Sequence, residues 1–155
     1  MFCCAKTAIR NLQLAIAAIL LTVVAASAQS KSVELQLKTM VNEAVEDYRA
    51  NGAAALPRLN DPQGPYRQGE LYVFVFDHER LLASSGNPDD VGALVDSVLD
   101  WDGTPVSRRI RQMATPEVAW ATYHHRDPSD GKVEHKRSWV RAVGDVIVGA
   151  GYYSH

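Results

Sequence analysis

The residues with the most chemistry to offer lie close together in the second half of the chain: Trp120, Tyr123 and His125 in one apolar-rich run, Lys136 and Trp139 in the next. Two indoles, a phenol, an imidazole and one ammonium suit a small pocket for a short organic anion, with apolar walls for the carbon chain and charge-assisted donors for a carboxylate. Strand alternation sets a condition on that reading. Side chains two apart on a strand share a face, so Tyr123 and His125 point together, whereas Lys136 and Trp139 point apart unless a bulge intervenes. The competing reading makes Trp120 and Trp139 core residues and Lys136 a solvated surface charge, as most lysines are.

Other constellations fail on their own spacing. His124 and His125 are neighbours in a predicted strand and face opposite ways, so they cannot share a metal. His78 falls in a turn and His155 is terminal. His125 with His135 across a hairpin lacks a third ligand at a recognisable spacing, so no metal site is expected. In Asp100-Trp101-Asp102-Gly103, setting Gly103 at the glycine of a calcium loop puts Val98 at the first ligand position and Arg109 where the bidentate glutamate belongs. A turn capping the helix that follows is the better account. Ser84-Ser85-Gly86 lacks the G-x-S-x-G turn and a base placed beside it. Nucleophile, base and orienting group never occur together, so no catalytic residue and no cofactor is assigned, and the chain reads as a binding protein rather than an enzyme.

The elements that must position these residues follow from periodicity. Between Val33 and Tyr48 apolar residues fall at 33, 37, 40, 41, 44, 45 and 48 with charged residues between, an amphipathic helix whose stripe is wide enough to suggest a homodimer through it. Asn51-Gly52 tolerates the left-handed conformation of a helix end, and Pro57 limits continuation through Ala53–Ala55. Asn60 to Pro65 is a loop by its turn chemistry. Leu71-Tyr-Val-Phe-Val-Phe76 reads as a central strand covered on both faces, and Leu81–Ser84 as its hairpin return across a turn without glycine. Asn87 to Met113 suggests two short helices, near Val91–Val98 and Val106–Met113. Val118–His125 and Lys132–Val143 form a hairpin about Asp127-Pro128-Ser129-Asp130-Gly131, and Val146–Tyr153 is the last strand. Helix, two strands, short helices and three antiparallel strands is an α+β order, with the long helix on one sheet face and the short helices on the other.

The first thirty residues carry Lys6 and Arg10, then an apolar run from Leu14 to Ala26, then Ala26-Ser27-Ala28. That is the order of a cleavable secretory signal, cut after Ala28, its apolar run being shorter than the roughly 20 residues that cross a bilayer. Residues 1–28 are therefore a predicted signal peptide, and 29–155 a single periplasmic or secreted domain. Cys3 and Cys4 leave with the signal, so no disulfide framework remains. The formal net charge is −2, and removing the signal takes away two cations and no acid. With basic residues scattered rather than striped, nucleic acid is excluded as a partner.

The motifs Leu71-Tyr-Val-Phe-Val-Phe-Asp77, Asn87-Pro88 with Val91-Gly92, and Asp102-Gly103 occur in that order. After them come Trp120, Tyr123, Asp127-Pro128, Gly131-Lys132-Val133, Lys136, Trp139-Val140 and Val148-Gly-Ala-Gly-Tyr-Tyr153. Together these resemble the single Cache domain family, the PAS-like extracytoplasmic sensing modules of bacterial chemoreceptors and sensor kinases, from about Leu35 to Tyr153. The resemblance implies a long N-terminal helix on a five-stranded antiparallel sheet, with a ligand pocket under the short helices. It also implies a small carboxylate ligand such as acetate, propionate, pyruvate or lactate. The candidate ligand-binding residues are then Tyr72, Trp120, Tyr123, His125, Lys136 and Trp139. Three positions depart from the family pattern: Ser84 where a histidine is frequent, His125 where a tryptophan is common, and Trp139 for a tyrosine. The expected role is sensing, as a stand-alone secreted member that presents its ligand to a separate membrane sensor kinase or chemoreceptor. The alternative is a structural or interaction module that kept the fold and lost the ligand.

Overall fold

A computed structural model describes residues 30–115, 119–127 and 129–154. The predicted signal peptide, both cysteines, Val118, Pro128 and His155 lie outside the described residues. The chain divides into two compact units, Met1–Gln36 and Leu37–His155, and the sheet with its cavity belongs to the second.

Helix α1 runs over residues 30–51. From Leu37 onward its apolar stripe faces the sheet, and Leu37, Met40, Val41, Ala44 and Val45 are buried. Each of the larger side chains contributes about 1.5–3 kcal/mol by that burial. Gly52 takes a positive φ of 56° at the helix end. A 3₁₀ turn (Gly52–Ala55) and the short helix α2 (Leu56–Leu59) then extend the path further than Pro57 was expected to allow. Pro57 sits in the first turn of α2, where its missing N–H has no helical partner to lose.

Six strands form one antiparallel sheet: β1 (Arg67–Gln68), β2 (Leu71–Phe76), β3 (Leu81–Ser84), β4 (Ala119–Arg126), β5 (Val133–Val143) and β6 (Val146–Ser154). The order is β1-β2-β6-β5-β4, with β3 also on β2. β1 pairs with the start of β2 and β3 with its end, so these two short strands share one edge and extend the expected five-stranded sheet by a two-residue strand. The β2–β3 turn manages without glycine because Asp77 Oδ1 accepts the N–H groups of Glu79 and Arg80, both at 2.7 Å. A register shift between Val75 and Phe76 accompanies it.

Between β3 and β4 the chain covers one sheet face with two 3₁₀ turns, Pro88–Asp90 and Val95–Ser97, and helix α3 (Val106–Met113). The helix expected near Val91–Val98 does not form. Gly92 takes a φ of 89°, and Val91, Leu94 and Val98 are extended, so the chain turns at Gly92 instead of coiling. The Asp100–Gly103 turn does not cap α3 either. The cap position, Pro105, has no side-chain cap, and Asp102 Oδ1 accepts the Thr104 N–H at 3.0 Å. Asp100 and Asp102 instead hold Arg109 of α3 as ion pairs.

Strand alternation divides the sheet by face. Val73, Val75, Val148 and Ala150 are fully buried and belong to the α1 face. Tyr72, Phe74, Phe76, Tyr123, Val140, Ile147 and Tyr153 pack with Val95, Val106 and Ile110 on the other.

Candidate ligand-binding site

Antiparallel pairing carries side chains of one face into rows that cross the sheet. One row is Tyr153–Lys136–Tyr123; the next is Tyr72–Gly151–Ser138–Ala121. Beyond them lie Phe74–Gly149–Val140–Ala119 and then Phe76–Ile147–Ala142. The face under the cover is therefore polar at one end and apolar at the other. Between it and the cover is a cavity of about 330 Å³, whose lining includes Tyr72, Phe76, Val106, Ile110, Tyr123 and Lys136.

Lys136 sits at the polar end and is 1% exposed. Its stem passes over Gly151, where an added Cβ would lie 2.9 Å from Lys136 Cε and 2.2 Å from Ser138 Oγ. Its ammonium donates to the Tyr72 hydroxyl and lies 3.8 Å from the Tyr72 ring centroid and 5.1 Å from that of Tyr153. No carboxylate of the described residues pairs with it. Burial lowers its pKa to about 7, with the negative charge of Asp127 opposing that fall from beyond ion-pair distance.

The hydroxyls around it form a relay with one direction. Tyr153 donates to the carbonyl of Arg126 at 2.9 Å, so Tyr72, 3.0 Å from Tyr153, donates to it, and Tyr72 oxygen accepts from Lys136. His125 Nδ1 lies 2.9 Å from the same carbonyl and 3.1 Å from Tyr153 oxygen. A carbonyl only accepts, so Nδ1 carries the ring proton and Nε2 keeps its lone pair. Burial, reinforced by Lys136, lowers His125 to about 4, which keeps it neutral. Burial raises the phenols of Tyr72, Tyr123 and Tyr153. Tyr123 closes the floor on Ser138 Oγ at 2.9 Å. Among these groups the Lys136 ammonium is the donor that can carry a positive charge, and its bond to Tyr72 uses one of its three protons, so the chemistry it offers is capture of an anion.

Of the six residues expected from sequence, Tyr72, Tyr123, His125 and Lys136 line the cavity. Trp120 and Trp139 do not. They pair across β4 and β5 on the α1 face, rings edge to face at 4.8 Å, with Lys38 of α1 4.6 Å from the Trp139 centroid. The hairpin pairs continuously through Tyr123↔Lys136 and Trp120↔Trp139, so the bulge that would bring all five onto one face is absent. The departure from the family pattern at Trp139 thus falls outside the cavity. His135 pairs with His124, not His125, and no group of three metal-ligating side chains forms among the described residues.

Sequence reasoning passed over Phe74 and Phe76, which alternation from Tyr72 reaches, and Tyr153, which only the β5–β6 register brings to Lys136. It also passed over the Ser84–Gly86 segment as a support. Ser85 Oγ donates to the Tyr66 carbonyl at 2.6 Å and accepts the Val73 N–H at 3.1 Å, so it is no nucleophile. Gly86 lies flat on Tyr72, its would-be Cβ 2.4 Å from the ring.

The cover is fastened at the sheet edge. Asp100 accepts from the His124 N–H at 3.2 Å and its ring at 3.0 Å, and pairs with Arg109 Nε at 2.8 Å. Burial pushes the Asp100 carboxyl up, but the N–H groups of Trp101 and His124, the His124 ring and Arg109 together hold it below its usual value.

A long helix on one face of an antiparallel sheet, with a covered cavity on the other, is the architecture of Cache sensor domains. A methyl-accepting chemotaxis protein from Vibrio parahaemolyticus RIMD 2210633 superposes with a TM-score of 0.62 at 15% identity, over 79% of this chain and 89% of that one. A Cache chemosensory domain described for carboxylic acid recognition gives 0.62 at 17% identity, over 83% and 98%. The periplasmic sensor domain of a chemotaxis protein gives 0.60 at 24% identity, over 84% and 97%. No family model and no curated protein matches the chain. The chain thus shares the fold of these sensor domains.

Proposed function

We propose that this protein binds a small organic anion outside the cytoplasm, holding its carboxylate on Lys136, and presents the bound state to a separate membrane receptor. One observation carries the reading: Lys136 is a fully buried lysine, its amino group on the cavity floor without an acidic partner among the described residues. Proteins rarely bury an unpaired charge, and a ligand carboxylate supplies the missing partner. The carboxylic acid recognition described for one structural neighbour is consistent with it. In this reading the domain is exported by residues 1–28 and starts at Gln29. Intact mass of the protein from a periplasmic extract checks the cut, and a species keeping Met1 in the membrane fraction counts against it.

Thermal denaturation with C2 to C6 carboxylates, amino acids and neutral analogues tests the binding. An anion at a hundredfold excess over its Kd stabilises the native state by about 2.7 kcal/mol, a rise in Tm of roughly 8–15 °C for a domain of this size. Lys136→Met removes the charge, keeps an unbranched stem and is expected to abolish the rise.

The interaction-module reading also has an observation in its favour. The cover leaves Leu94, Leu99 and Trp101 exposed, Trp101 by 77%. An apolar cover suits contact with a partner. If no small molecule shifts the melting temperature at millimolar concentration, that reading replaces the first.

A further inference from the structure

The cavity is far larger than its anion-binding end requires. A cavity of about 150 Å³ lined by Leu, Ile and Phe holds one benzene, and this one is about 330 Å³. That is room for about a dozen heavy atoms, scaling from the benzene case. A carboxylate fills three of them. The rows of the sheet say what the remainder must be. Lys136, Tyr123, Tyr153 and Tyr72 occupy the first two rows, while Phe74, Val140, Phe76 and Ile147 occupy the next two. Rows on one face are about 7 Å apart along the strands, and the Lys136 ammonium already stands 5.3 Å from the Phe74 ring centroid, so a ligand anchored there meets Phe74 directly and reaches the Phe76–Ile147 row beyond it only with a chain of several carbons. Over that end, Val95, Val106 and Ile110 of the cover close on Phe74 and Phe76. Leu94 is fixed beside the β2–β3 hairpin by its bridge to Arg80. No cation lines the apolar end: Arg111, 5.2 Å from the Phe76 ring centroid, is outside the lining and is engaged by the Asp77 carbonyl and His78, and Asp90 and the Ser107–Asp96 pair contribute negative charge to the lining and its border.

We infer that the ligand is a monocarboxylate with an apolar body of about six to ten carbons, straight, branched or aromatic, its head on Lys136 and its tail between β2 and α3. This rests on the anion-binding reading and names the ligand's body, which acetate or propionate would leave unfilled.

Isothermal titration of the protein with acetate, butyrate, hexanoate, octanoate and phenylacetate tests it, with suberate and octanol as end-group controls. From butyrate to octanoate the affinity is expected to rise about fourfold per methylene, the ratio that a buried CH₂ supplies. Suberate, which puts a second carboxylate among Phe76 and Ile110, is expected to bind at least tenfold more weakly than octanoate, and octanol to show no binding. Leu94→Asp, at a half-exposed position of the cavity lining, is expected to weaken octanoate and spare butyrate. A flat series, or suberate equal to octanoate, overturns the inference and leaves anion binding standing. Failure of every carboxylate removes the anion-binding reading itself.

Discussion

Replacing Lys136 with methionine is expected to stabilise the ligand-free protein, and to do so only below alkaline pH. A free lysine titrates near 10.4, whereas burial brings Lys136 to about 7. At about 1.36 kcal/mol per tenfold change in proton affinity, keeping this ammonium charged in the fold at pH 6 costs on the order of 4–5 kcal/mol. The methionine forgoes two favourable interactions, and their absence offsets part of that gain. The ammonium over the Tyr72 ring is worth up to about 2 kcal/mol, and its hydrogen bond to Tyr72 oxygen about 1 kcal/mol. The balance is a gain of about 2 kcal/mol, or very roughly 5–10 °C in Tm. The sign with pH follows from proton counts. Between about pH 7 and 10.4 the unfolded chain holds the Lys136 proton and the folded protein does not, so wild-type stability rises with pH across that window. The advantage of Lys136→Met is therefore full below pH 7, shrinks by about 1.36 kcal/mol per pH unit above it, is gone by about pH 8.5 and turns into a disadvantage towards pH 10.4. Melting curves of both proteins from pH 5.5 to 10.5, without ligand, measure this directly. A variant less stable than wild type at pH 6, or a difference that stays constant from pH 6 to 10, would refute the claim that a charged Lys136 is a burden on the empty fold.

Two further substitutions separate the faces of the sheet. Gly151→Ala drives a methyl into Ser138 Oγ and Lys136 Cε; overpacking of this kind costs about 1–3 kcal/mol, and carboxylate binding is expected to fall with it. Binding at wild-type affinity in a folded Gly151→Ala protein would show that the lysine does not depend on that gap. Trp139→Phe, on the α1 face, is expected to lower stability by about 1–2 kcal/mol, a modest large-to-small loss, and to leave the ligand-induced rise in Tm unchanged. A lost rise would place Trp139 at the site after all. Dimerisation through α1 is tested by sedimentation at several protein concentrations; the stripe from Leu37 to Val45 is already buried within one chain, and a monomer throughout would exclude the dimer.

What the sequence showed of this site depended on how local its determinants are. The strands other than the two-residue β1, and α3, were legible because each has its own period or turn signal. α3 was expected at Val106–Met113 and lies there. The cover before it was not, since two 3₁₀ turns separated by a positive-φ Gly92 leave no periodic trace. The site itself was half legible. Aromatic and basic residues on one hairpin suggested a single pocket, yet alternation sets Lys136 and Trp139 on opposite faces, and the continuous register keeps them there. Alternation is the stronger guide, and grouping residues by type the weaker one. A lysine in a strand is usually solvated, and nothing within β5 marks Lys136 as different. Its burial is decided on the next two strands, where Gly151 of β6 leaves room for its stem and Tyr72 of β2, held flat against Gly86, receives its ammonium. Both glycines are visible in the sequence, but the meaning of Gly151 requires the pairing of β6 with β2 and β5, and that of Gly86 the pairing of β3 with β2. A Gly-x-Gly in a central strand beside a strand carrying a lysine two residues before a serine is therefore a signal for a buried cation. It becomes readable only once the register is known, because only the register tells which side chain crosses the gap.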